Sequence, residues 1–148
     1  MVITKEDSRR VNGQMGSCGI ICMGCELGSG SAAGTAVKLK DHILSIGIAQ
    51  WASDLPGGAE INFERLIKDL EWLSENTHCI GCEQGGGPPD CVIRNCAKGR
   101  GYTVCNNCSD LESCDKFEWL GETGKQLKTM LSNSTGKTKE ELLMTTKP

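Results

Sequence analysis

Ten cysteines fall into four tight groups in this chain of 148 residues, and that grouping limits the available folds more than any other feature. Cys18, Cys22 and Cys25 form the first group, and Cys79 and Cys82 the second. Cys91 and Cys96 form the third, and Cys105, Cys108 and Cys114 the fourth. Spacings this close suit a shared metal ion better than a mesh of disulfides.

Composition bears on why a metal would be needed. Hydrophobic residues make up 38% of the chain and aromatic residues 4%, so the available apolar core is modest and metal crosslinks would supply what it lacks. Many of the 19 glycines adjoin cysteines, as in Cys18-Gly19, Gly24-Cys25 and Gly81-Cys82, where backbone must turn tightly around sulfur. The net charge of -3 gives no electrostatic case for a nucleic-acid partner, since Arg9-Arg10 and Lys137 with Lys139 are only small patches. Charged residues in the first ten positions leave no room for the apolar part of a secretory signal. No apolar run approaches the roughly 18 residues of a membrane span. The expectation is a cytoplasmic protein with no membrane partner, in a reducing compartment where paired cysteines serve metals.

The chain reads as a single cysteine-rich metal-binding domain over 1–148, with 1–12 and 133–148 loose or peripheral. Residues 26–34 read as a flexible small-residue connection. A helix is predicted from about Thr35 to Leu55, with Val37, Leu44, Ile48, Trp51 and Leu55 recurring near 3.6-residue spacing, Ile43 widening the stripe and Gly47 inside it. Pro56-Gly57-Gly58 ends it. A second helix is predicted from about Ala59 to Asn76, with Phe63, Leu66, Ile67, Leu70 and Leu73 on one face. The two read as an antiparallel pair. From Thr77 to Asp115 the apolar period collapses and seven cysteines appear. Asp90 is expected to cap a short helix over 90–97, and Tyr102–Val104 to be briefly extended. Further short helices are expected from Cys114, over 123–132 and over 139–144. The fold class is therefore mostly α with irregular cysteine-rich metal-binding loops, an antiparallel helix pair flanked by zinc-knuckle-like segments.

All ten cysteines are candidate ligands. Cys79-Ile-Gly-Cys82 and Cys105-Asn-Asn-Cys108 are the strongest signals, because two intervening residues let both sulfurs face one ion. These knuckles would complete one four-cysteine site together, or Cys91 and Cys96 would complete the site begun by Cys79 and Cys82. The Cys18, Cys22, Cys25 group would take its fourth ligand from Cys114 or His42. His78, beside Cys79, is a further candidate. Two four-cysteine sites would use eight thiolates, which points to two zinc ions; an iron–sulfur cluster is the alternative for the same soft donors. The CxxxCxxC spacing also occurs in radical S-adenosylmethionine enzymes, but this chain is too short for their barrel. Asp90, Arg94, Asp110, Glu112 and Asp115 lie near the cysteines, where the acids would cap turns and Arg94 would offset thiolate charge or bind a carboxylate. No catalytic residue stands out.

The order Cys18-Gly-Ile-Ile-Cys22-Met-Gly-Cys25, Cys79-Ile-Gly-Cys82, Cys91-Val-Ile-Arg-Asn-Cys96-Ala, Cys105-Asn-Asn-Cys108 and Cys114 resembles the DUF3795 family of small cysteine-rich proteins of bacteria and archaea. The resemblance runs from residue 17 to about 120. The longer spacing before Cys114 and the glycine-rich stretch after Cys25 depart from the family pattern without removing a cysteine. It implies metal binding, generally taken to be zinc, and no agreed activity. The expected function is a metal-stabilised interaction or accessory module with a protein partner, its contact surface near Trp72 or Trp119. The alternatives are an iron–sulfur protein with an electron-transfer or redox accessory role, and a small metalloenzyme with an open metal position.

Overall fold

A computed structural model describes residues 11–145. It is mostly α-helical. Among the described residues no sheet forms, and the one extended pairing is an isolated antiparallel bridge between Met15 and Ile21. Five α-helices occur among them: α1 (Ser31–Ile46), α2 (Phe63–Asn76), α3 (Val92–Gly99), α4 (Gly121–Ser132) and α5 (Lys139–Thr145). Short 3-10 turns, among them Cys22–Gly24, Cys82–Gln84 and Cys105–Asn107, carry cysteines.

α1 starts earlier and stops sooner than its apolar pattern predicts. Gly47 takes a left-handed conformation (φ 59°) and closes the helix instead of lying inside it. Two 3-10 turns then carry the chain through Ile48–Gln50 and Ala52–Asp54. The predicted stripe holds only in part: Ile43 is buried with Ala36 against Leu70 and Ile48 packs on them, but Leu44, Trp51 and Leu55 are exposed. α2 also starts later than predicted, at Phe63, because the Asn62 side chain accepts the Arg65 N–H at 2.9 Å and caps the first turn. The helix predicted over 90–97 forms two residues later, and Asp90 does not cap it; Cys91 holds that position without a side-chain bond.

The apolar residues form two clusters. The small one joins α1 to α2 through Ala36, Ile43 and Leu70, with Ile48, Phe63, Leu66 and Ile67 packed on it. The larger one gathers Met15, Ile93, Ala97, Val104, Leu111, Phe117, Leu131 and Leu142 around the buried Cys105. Both ends of the described chain are anchored. Val11 is fully buried, and Leu142 of α5, the short helix expected over 139–144, sits in the larger core. Residues 1–10, the rest of the predicted lead-in, lie outside the described residues.

Candidate metal centre

The first cysteine group rides on a tight loop over 14–22. Its bridge is reinforced by the Gly16 N–H on the Ile20 carbonyl (2.8 Å) and the Cys22 N–H on the Gln14 carbonyl (3.0 Å). The 79–86 loop lies against it. A side chain at Gly16 would place its Cβ 3.1 Å from the Cys18 sulfur and 3.3 Å from the Cys82 sulfur, so both thiols close over this glycine. The Cys82 N–H points at the Cys22 sulfur (3.3 Å), and the Gly81 N–H points at the Cys79 sulfur (3.4 Å). The backbone donor aimed at the Cys22 sulfur favours its thiolate form. Gly86 also closes on the Cys79 sulfur, since a Cβ there would lie 2.5 Å from it.

Gln14 fixes this knuckle. Its buried carboxamide donates to the Ile80 carbonyl (3.1 Å) and accepts the Glu83 N–H (3.1 Å). Gly81 takes φ 97°, and any Cβ there would run into the Gln14 side chain. Glu83 extends the clamp: its Oε1 accepts from the Met15 N–H at 3.0 Å and from Lys139 Nζ of α5 at 2.6 Å. Burial would raise the Glu83 carboxyl, but these two donors outweigh it and hold it below the usual range.

The sulfurs respond to one another. A side-chain hydrogen bond from Cys82 pulls the Cys22 thiol down to about 6, and the same bond, with burial and the charges of Cys22, Cys18 and Cys79, holds Cys82 protonated. Burial, and then Cys91 and Cys22, raise the Cys18 thiol. This loop cluster therefore joins Cys18, Cys22, Cys79 and Cys82, with Cys91 at its edge.

The second gathering surrounds Cys105. Burial pushes its thiol up to about 12, followed by the charges of Cys108, Cys114, Cys18 and Cys96. The Cys105 N–H donates to the Ser17 carbonyl at 2.8 Å, tying this knuckle to the first loop. Successive turn bonds, Cys108 N–H to the Cys105 carbonyl (3.0 Å) and Cys114 N–H to the Leu111 carbonyl (3.2 Å), bring the later thiols round. Cys96, Cys105, Cys108 and Cys114 line a cavity of about 390 Å³ floored by Ile93, Ala97, Leu111 and Phe117. At its rim Arg100 donates to the Cys108 sulfur (3.2 Å) and to Asp110 (2.5 Å), and Asp110 raises the guanidinium's already high pKa. Lys128 Nζ donates to the Glu112 and Cys114 carbonyls, each at 2.9 Å, and steadies the last turn.

The Cys79–Cys82 knuckle lies against Cys18 and Cys22. Cys18, Cys91, Cys108 and Cys114 pack on the same core as Cys105. Cys25 follows Cys22 by one 3-10 turn and is half-buried, with its N–H on the Cys22 carbonyl (3.2 Å). His42 is exposed on α1 and His78 is exposed after α2. Among the described residues Arg94 meets no carboxylate: its guanidinium donates to the carbonyls of Gly86 (2.6 Å), Pro88 (3.1 Å) and Pro89 (3.3 Å) and pins the glycine-rich loop. The arginine on a thiol is Arg100, which spacing does not single out because it follows α3 instead of sitting in a cysteine motif. Gln14 was equally hidden, since its role depends on a loop 66 residues away. Among the described residues, no three His, Cys, Asp or Glu side chains converge as a formed metal shell.

Fold and site together define a small, mostly α protein whose cysteine-bearing turns meet in two places. The family model described as protein of unknown function (DUF3795) matches residues 14–119, and the chain belongs to that family. No curated protein and no solved structure matches it.

Proposed function

We propose that this chain is a metal-stabilised protein whose thiols hold structural zinc, and that it works as an interaction or accessory module in a reducing, cytoplasmic setting. The observation that carries this reading is the closure of Cys18 and Cys82 over Gly16, with the Cys82 N–H on the Cys22 sulfur. Soft sulfur donors on short glycine-containing knuckles fit zinc, and backbone donors on sulfur offset the thiolate charge. Cys18, Cys22, Cys79 and Cys82 would hold one ion, and Cys96, Cys105, Cys108 and Cys114 a second. The irregular loops then act as zinc-knuckle-like segments flanking an antiparallel helix pair, and the metal stands in for a larger apolar core.

An iron–sulfur cluster at the second group is the alternative reading, because the same soft thiolate donors would hold it. Elemental analysis and absorption spectroscopy on protein purified without oxygen separate the readings. Colourless protein with stoichiometric zinc is the expected result. A brown protein with iron and sulfide would replace zinc by the cluster, and metal-free folded protein would overturn both.

A further inference from the structure

We propose that the α1–α2 pair docks a second copy of this chain, face to face, as a four-helix bundle; this rests on the interaction-module reading and gives that module its partner.

The seam between the two helices is thin, with only Ala36, Ile43 and Leu70 buried in it. Beside it, Leu39 is 47% exposed, Ile46 57% and Leu73 40%. Successive residues turn about 100° around a helix, so Leu39 and Ile46, seven apart, share one flank of the line through Ala36 and Ile43. Leu66 and Leu73, also seven apart, share the corresponding flank of the line through Leu70. Ile48 just after α1 and Phe63 at the start of α2 pack on one cluster, as an antiparallel pair requires. In that arrangement both flanks lie on one side, and the Lys40–Glu71 ion pair (3.4 Å) lies on the other. One side of the pair therefore carries the Lys40–Glu71 ion pair with Leu44 exposed beside it, and the other carries Leu39, Ile46 and Leu73 next to the half-buried Leu66.

Two features point to a second copy as the occupant. The seven-residue repeat on both helices is the spacing at which helices interlock along a seam. The outer borders of the face also complement each other: α1 carries Lys38 and His42 there, and α2 carries Asp69 and Trp72. A two-fold axis running along the helices sets each α1 on the copy's α2. The Lys40–Glu71 pair fixes the level of one helix against the other, so His42 then stands near the copy's Asp69 and Lys38 near its Trp72. Asp69 already takes Arg65 Nε on one carboxylate oxygen (2.8 Å) and keeps the second for the partner. Four helices with a shared apolar interior bury what two cannot.

The test is the solution mass of the metal-loaded full chain by sedimentation equilibrium. The expected mass is about twice 15.9 kDa. Leu39→Lys and Leu73→Glu should each halve it while helical signal and metal content stay unchanged, because both side chains are exposed in the single chain. Mixing the two variants should restore the double mass, since the introduced lysine of one chain would meet the introduced glutamate of the other across the axis. Leu44→Ser, on the charged side, should leave the dimer intact. A wild-type monomer at every concentration, or a dimer indifferent to Leu39→Lys and Leu73→Glu, would overturn the proposal. Metal content is read in the same samples, so loss of metal with an intact dimer counts against the zinc reading alone.

Discussion

The Gln14 side chain holds the Ile80 carbonyl at 3.1 Å across 66 positions of sequence, and in doing so sets one cysteine loop against another. The same carboxamide takes the Glu83 N–H, so both ends of the Cys79–Cys82 knuckle are registered on the 14–22 loop.

Gln14→Ala is expected to cost about 1–3 kcal/mol, the net worth of its two part-buried hydrogen bonds. Urea unfolding should show a lower midpoint, and a chelator should strip the first site faster. A variant with an unchanged midpoint would mean that the knuckle holds its place without the clamp.

The cysteine groupings predict which substitutions act together. Cys22→Ser and Cys82→Ser should each abolish the same bound equivalent of metal, and combining them should add little, because partners in one site are not independent. Cys108→Ser should abolish a different equivalent. Structural-site binding energy is folding energy on the order of 10 kcal/mol, so full metal removal should unfold much of the larger core. Metal counting on the three single variants decides it; loss of one common equivalent by all three would merge the two groups.

Glu83 makes part of the stability pH-dependent. Its carboxyl is held below its ordinary value in the folded chain, so its contribution is present above the unfolded value of about 4.3 and is lost as pH falls through the lower folded value. Acid also protonates the thiolates, but wild type and Glu83→Gln share that loss. The gap between their urea midpoints should therefore be widest near neutrality and close in acid. A gap that stays constant with pH would show that the Lys139 and Met15 bonds do not depend on the carboxylate charge.

Arg100→Ala should affect the second group without affecting the fold. The arginine is exposed, so its pair with Asp110 contributes little to stability. Its bond to the Cys108 sulfur is the kind of outer contact whose loss weakens metal retention by about 10-fold. Metal exchange followed with a chromophoric chelator should quicken at that site only. Equal exchange in both proteins would leave Arg100 a surface residue that happens to reach a thiol.

The helical content was readable because amphipathic spacing is local. The stretches that become α1, α2, α4 and α5 all show in the pattern, and the family shows in the cysteine motifs. Their edges were not readable where one residue overrode the pattern. Gly47 ends α1 in a left-handed cap although Ile48, Trp51 and Leu55 continue the period, and Asn62 delays α2 by capping the turn that opens at Phe63. Leu142 shows the same limit: its burial depends on the core it meets, not on its polar neighbours.

By itself, the sequence determined that this is a cysteine-rich, mostly helical chain of the DUF3795 family, because helix periodicity and motif spacing are properties of nearby residues. Only the tertiary structure decided which thiols meet. Cys82 lies on Cys22 rather than beside Cys105, and Arg100 rather than Arg94 reaches a sulfur. Those meetings depend on contacts between loops far apart in the chain, made by Gln14, Glu83 and the Cys105 N–H on Ser17, and no local spacing encodes where such loops come to rest.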